Sequence, residues 1–457
     1  MLRTSDRIGG VPATRIEALR AREAAVFADA RPRSAAAAAE PSGFLDGVPL
    51  HWMLDWPMPF RMVVAKARGA TITDVDGHRL DDFCLGDTGS MFGHSPPPVA
   101  RAIRRQAGRG LTYMLPNEDA AVVGRLLVEC FGLPLWQVAT TATDANRFAL
   151  RLARAVTGRP KILVFNGCYH GSVDETMVRL KDGGPVNRPG LAGEFRDLTQ
   201  ATRIVEFNDV AALEAALAAR DVACVITEPV LTNSCMVPPA PGFHAALSAA
   251  TRAAGTLLLI DETHTISTGL GGYTRAFGLE PDLFVLGKPI AGGVPAAIWG
   301  MTEEVAMRWD AYQKTKEPGY SGMGTTLSAN PLQFAAMRAT LEDVMTAENY
   351  ARMERFAGQL ETGLSAAIGR HGLPWHVVRV GARVEFVCAP GPLENGAAAE
   401  AAHAPTLEAA IHVALVNRGC LIAPFHNMML VSPATTARQV DRLVEAFGAV
   451  CAELAGH

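Results

Sequence analysis

No stretch of this sequence reaches the roughly 18 to 20 consecutive apolar residues that a membrane-spanning helix needs, so no membrane partner is expected. Charge of one sign is not in excess either. The 42 basic and 46 acidic side chains leave a formal net charge of −4, which gives no electrostatic basis for binding nucleic acid. The eight cysteines (84, 130, 168, 224, 235, 388, 420 and 451) are scattered, and none forms a CxxC pair. That argues against a zinc knuckle or a disulfide framework and for reduced thiols in a cytoplasmic protein. Internal repeats are missing too. The first forty residues carry charges through most of their length and do not read as a signal peptide. At their end "SAAAAAEPSG" reads as a mobile arm or as a helix ending before Pro41.

What is present is the composition of a globular enzyme: 49% hydrophobic and 19% charged residues over 457 positions, too many for one small core. The middle of the chain alternates short apolar runs with amphipathic stretches. "KILVF" (161–165), "VACVIT" (222–227), "TLLLID" (256–261) and "DLFVLG" (282–287) read as strands apolar on both faces. From Ala145 to Val156 the apolar positions form a helical stripe, with Arg147, Arg151 and Arg154 opposite. This alternation predicts a mostly parallel sheet covered by helices. In such sheets ligands bind beyond the carboxyl ends of the strands. Toward the C-terminus the pattern changes to helix over about 331–360, short strands in 376–387, and helices near 405–418 and 437–454. This α+β tail predicts a smaller domain, with the DG hairpin of "TITDVDGHRLDDF" (71–83) packed into it.

The residues just after the four central strands are "NGCYHG" (166–171), "EP" (228–229), "DETH" (261–264) and "GKPIAGG" (287–293). "LLLIDETH" is the sharpest of these: a buried run ends in two carboxylates and a histidine, and an unpaired buried carboxylate is costly. It reads as a loop start, as a site needing a fixed negative charge, or as a metal site using His264 with Glu262 or His170. The spacing is not the helical HExxH of zinc enzymes, so no metal is expected. Lys288 reads either as a solvated lysine or as an amine made nucleophilic by desolvation. Asp261 is either a turn residue or a carboxylate able to hold a protonated ring nitrogen. "TTATDAN" (140–146) opens a helix, as a plain N-cap by Thr143 or Asp144 or as a phosphate cradle. Tyr169 is a packing residue or a flat surface for a heterocycle.

Together, "DVDGHRLDDF", "FGHSPPPV", "RLARAVTGRPKILVFNGCYHG", "ITEPV", "LLLIDETHT", "GGYTRAFGLEPDLFVLGKPIAGGVPAAIWG" and "GTTLSANPL" resemble the class III aminotransferases of the pyridoxal phosphate fold-type I superfamily. Within them the chain is most similar to glutamate-1-semialdehyde aminomutases and nearby ω-transaminases, over roughly residues 60 to 450. The resemblance implies an α/β fold, with a large domain built on a mostly parallel seven-stranded sheet and a smaller α+β domain from both termini. The expected divisions are residues 1–100 (N-terminal arm and part of the small domain), 101–330 (cofactor domain) and 331–457 (C-terminal small domain). Pyridoxal 5'-phosphate would sit on Lys288 as a Schiff base, with Asp261 on the pyridinium nitrogen. Tyr169 and Thr263 would flank the ring, and Ala142 and Thr143 would contact the phosphate. Glu228, like Glu262, reads from its own position as a partner of other site residues or as a support for a phenolic oxygen of the cofactor. Thr326 would come from the partner subunit of a homodimer with active sites at the interface.

The implied activity is transfer of an amino group between an amine or amino acid with a fairly apolar side and a keto acid or aldehyde. An aminomutase or a racemase on the same scaffold is the alternative. Departures from the family pattern concern the substrate side. Ala142 stands where Gly is usual, Thr263 replaces Val, and His264 replaces a more commonly apolar residue. "APFHNMMLVS" (423–432) contains no arginine, where some relatives hold a substrate carboxylate. Trp52, His264 and His426 are the expected substrate contacts, with Met53 and Trp56 beside Trp52.

Overall fold

The runs that are apolar on both faces become the middle of one sheet. In the computed structural model, which describes residues 7–193 and 196–456, seven strands lie in the order Thr202–Val205, Lys161–Phe165, Val222–Thr227, Leu257–Asp261, Leu283–Leu286, Ala297–Met301 and Leu135–Ala139. The first five pair in parallel; only Ala297–Met301 runs against its neighbours. Every residue of the Val222–Thr227, Leu257–Asp261 and Leu283–Leu286 strands is buried. Helices cover the sheet, as βαβ connections require. The expected mostly parallel α/β sheet is therefore present, with the four strands read from apolar runs at its centre.

The chain divides into two compact units. One comprises 97–350 and 393–401 and contains this sheet; the other comprises residues up to 96, 351–392 and 402–457. The boundary expected at residue 330 differs from this division. The helix Pro331–Asp343, opened by a capping box between Asn330 and Gln333, belongs with the large sheet. An uninterrupted helical pattern shows that a helix forms, not which core takes its apolar face.

In the other unit the DG turn joins Thr71–Asp74 to Arg79–Asp82 in antiparallel pairing, with Gly77 at φ +96° and its N–H donating to Asp74 O. Cys420–Leu421 adds to this hairpin in parallel, so the tail and the hairpin do share a sheet. A three-stranded sheet, His376–Val380, Arg383–Val387 and Met428–Leu430, completes the unit's β structure. Of the two readings for the N-terminal arm, the helical one holds: helices Ala13–Ala30 and Pro32–Ala39 precede Pro41. All eight cysteines are buried and unbridged. Among the described residues no helix is long and apolar enough to cross a membrane.

Candidate active site

Parallel register decides which residues meet. Asp261 pairs with Val285 across adjacent strands, so residues equal distances beyond them fall side by side. The N–H of Glu262 donates to Val285 O at 2.8 Å, and Gly287 N–H donates to Thr263 Oγ1 at 3.2 Å. One position further, His264 Nε2 lies 2.8 Å from Lys288 Nζ. His264 is thus placed against the lysine amine. Lys288 itself sits at φ +44°, a left-handed conformation that a non-glycine residue adopts at some cost and that recurs at functional sites.

Asp261 is buried and heavily held. Its Oδ2 accepts from Asn146 Nδ2 at 2.9 Å and pairs with His170 Nδ1 at 3.0 Å, and Oδ1 accepts from Thr263 N–H at 3.1 Å. Burial alone would favour the neutral acid. The hydrogen bond and charge of His170, with Thr263 and Asn146, outweigh it and hold the carboxyl below its usual range. His170 is the mirror case. Burial opposes its charge, but hydrogen bonds with Asp261 and Cys168 raise it to about 10, so Asp261 is an anion seated on an imidazolium. Neither Asn146 nor His170 was assigned this role from sequence. Asn146 was visible only as the last letter of "TTATDAN", and His170 only as a candidate metal ligand.

The helix that opens after this turn is Ala142–Thr157, and its cap is Thr141, whose hydroxyl accepts from Asp144 N–H. The cap is therefore not Thr143 or Asp144, because the helix starts at Ala142. Capping by Thr141 leaves the amides of Ala142 and Thr143 in the first turn, where no intrahelical acceptor exists and an anion is favoured. Two glycines bring neighbouring loops onto this turn. A Cβ on Gly287 would come within 2.7 Å of Ala142 Cβ, and Gly171, at φ +78°, backs on Thr143, whose hydroxyl accepts from Ser172 N–H.

Glu228 is buried beside this group. Burial pushes its carboxyl upward, His170 offsets that, and Thr232 and Asn233 donate to it. Glu262 is also raised by burial and accepts from Thr265 Oγ1 and Tyr273 N–H; it pins the loop rather than facing Asp261's partners. Tyr169 is half-buried, with the Arg188 guanidinium 5.8 Å from its ring centroid. Thr326 is exposed, while Ser328, two residues on, lies 3.4 Å from Thr140 of the same chain. Trp52 and His426 belong to the other unit. There Trp52 packs edge-on against Phe425, and His426 is buried with Nδ1 3.2 Å from Glu385 Oε1. Among the described residues no cluster of three or more His, Cys, Asp or Glu is arranged to hold a metal ion.

A lysine, a buried carboxylate and a helix N-terminus thus converge at the carboxyl ends of parallel strands. The profile of the family described as aminotransferase class-III matches residues 55–450. This chain belongs to the class III aminotransferases. It is 35% identical over 404 residues to a glutamate-1-semialdehyde 2,1-aminomutase of Thermomicrobium roseum, covering 86% of this chain and 91% of that one. Among solved structures it is similar to a glutamate-1-semialdehyde aminomutase of Pseudomonas aeruginosa PAO1, with TM-score 0.95, 50% identity and 97% and 100% of the two chains covered. A lysine-to-alanine variant of that protein was solved in complex with PMP. An ω-transaminase of Sphaerobacter thermophilus is similar at TM-score 0.84 and 28% identity, over 93% and 98% of the chains.

Class III aminotransferases are fold-type I, pyridoxal phosphate-dependent enzymes, and the chain's own residues fit that cofactor. A buried carboxylate kept ionised by its donors suits a ring cation, an amine stands at the next strand end, and first-turn amides with a close glycine contact suit a phosphate.

Proposed function

We propose that this class III enzyme is an aminomutase, moving an amino group between neighbouring carbons of one amino-carbonyl substrate. The observation that carries the reading is the 50% identity over nearly the whole chain to a protein described as a glutamate-1-semialdehyde aminomutase. This replaces two-substrate transfer as the first reading, since the relatives at 35% identity carry the aminomutase name as well.

In this reading Lys288 carries the cofactor, Asp261 stands on its ring nitrogen, and Ala142 and Thr143 offer amides to its phosphate. Tyr169 and Thr263 flank the ring, and Glu228 supports its phenolic oxygen. Bound pyridoxal phosphate supplies an electron sink that lets a proton leave the carbon bearing the amine. Asp261, kept ionised by His170, Asn146 and Thr263, holds the ring nitrogen's proton in place. The Lys288 amine takes the proton from one carbon and returns it to another, and His264 Nε2, 2.8 Å away, accepts a hydrogen bond from that amine and fixes its position. The protein works as a homodimer, with Thr326 reaching the partner's site; its exposed neighbours Tyr320 and Leu327 support an interface there.

The test is conversion of glutamate-1-semialdehyde by purified enzyme with no added keto acid. Isomerisation with the amino group retained in the product supports the reading; an absolute requirement for a second carbonyl acceptor refutes it. The second reading, transfer between two substrates, is favoured by the similarity to an ω-transaminase at TM-score 0.84 and 28% identity, and it predicts that outcome. Elution at twice the chain mass tests the dimer.

A further inference from the structure

Among the described residues, two arginines beside Tyr169 have no acid to answer them. The strands Val178–Lys181 and Gly184–Asn187 form an antiparallel hairpin that sets Arg179 and Arg188 against the "NGCYHG" turn. Arg179 is spent on carbonyls, donating to Val178 O at 2.8 Å and Cys168 O at 2.9 Å. Arg188 is half-buried and lies 5.8 Å from the Tyr169 ring centroid. Among the described residues its guanidinium donates to nothing, and neither arginine is paired with a carboxylate. Burial and the like charge of Arg179 both disfavour the charge on Arg188, and only Cys168 and Tyr169 act in its favour. A guanidinium held out of water without an anion is expensive unless a ligand supplies one.

We propose that Arg188 is the anchor for a carboxylate of the substrate, with Arg179 fixing the turn beneath it and adding positive potential. The planar fork of arginine matches a carboxylate with two parallel hydrogen bonds. Arg188 is also well placed for this role, because Tyr169, on the same turn, is the residue that flanks the cofactor ring in the reading above, on which this inference rests. The substrate class is thereby narrowed to amino-carbonyl compounds carrying a carboxylate.

Calorimetric titration with glutarate, a carboxylate without an amine, tests this directly on the holoenzyme. Wild type should bind it, and Arg188→Gln should bind it roughly 10- to 100-fold more weakly, the loss expected for a charge-assisted contact. In turnover the same variant should raise KM by a similar factor and leave kcat within about threefold, as expected for binding lost equally from ground and transition states. Arg188→Lys keeps the charge but not the fork and should fall between the two; it also serves if the Gln variant does not fold. Glutarate binding that is absent from wild type, or equal in wild type and both variants, overturns the proposal. So does a variant that keeps glutarate but loses affinity for pyridoxal phosphate, which would make Arg188 a cofactor contact. If wild type isomerises nothing while Arg188→Gln still loses glutarate, the aminomutase reading fails and the anion site stands.

Discussion

Asp261 and Glu385 are both hidden carboxylates on strands at the middle of a sheet, and they are held in opposite ways. Asp261 ends its strand and receives three donors, one of them a charged imidazole. Glu385 lies inside the strand Arg383–Val387, all five residues of which are buried. His426 Nδ1 lies 3.2 Å from its Oε1, and neither carboxylate oxygen is in a hydrogen bond. A carboxylate at a strand's carboxyl end can be gripped from behind and still present charge to a ligand. One in mid-strand is surrounded by packing and presents nothing. Burial of a carboxyl is therefore not the mark of a site; a set of donors that keeps it ionised at a strand's end is.

The comparison breaks most readily at Asp261. Asp261→Asn should lower kcat by roughly 10²–10³-fold while the protein stays folded, the scale for removing one preorganised charge. Activity within a few-fold of wild type would end the electronic role. His264→Leu should cost about tenfold in kcat with KM nearly unchanged, and His264→Gln should recover part of it by accepting from Lys288. Equal kcat in all three proteins would leave His264 as packing.

The pH dependence sharpens the contrast at lower amplitude. His170 is raised in the folded protein to about 10, so its contribution to stability is complete below the unfolded value of about 6.5 and declines as pH rises toward 10. Asp261 is lowered, so its contribution is present above the unfolded carboxylate value and lost as pH falls through the folded one. Melting temperatures should fall between neutral pH and pH 10 in wild type and fall less steeply in His170→Asn. Parallel curves would show that the pair is not coupled to folding. The smallest effect is expected at Glu385→Gln. It exchanges a buried carboxyl that makes no hydrogen bond for an amide of the same shape and should change stability by no more than about 1 kcal/mol, with kcat unaltered. A loss as large as that of Asp261→Asn would mean that Glu385 also serves the chemistry.

These two acids also show what was legible in the sequence. "LLLIDETH" announces its aspartate because a charge follows four apolar residues. In "RVEFV" the charges alternate with apolar residues, a pattern that ordinarily marks a strand with one wet face, yet here both faces are covered. A parallel sheet, four of its strand positions and the gathering of Asp261, Thr263, His264 and Lys288 at the strand ends were readable from apolar runs and the residues that end them. The helix boundary at Pro331 was not, because a periodic face does not name its partner. Asn146, His170 and Arg188 were missed for a related reason: their importance comes from what they touch, 115, 91 and 19 residues away in the chain.

The sequence alone determined the α/β class through its local apolar runs, and its resemblance to the class III aminotransferases implied the family and the cofactor. Tertiary structure decided how each charge is answered. Parallel register set His264 on Lys288, and a helix and a turn from elsewhere in the chain placed Asn146 and His170 on Asp261. A hairpin set Arg188 over Tyr169, with no acid against it among the described residues. Such pairings depend on distance in space, which sequence separation does not encode.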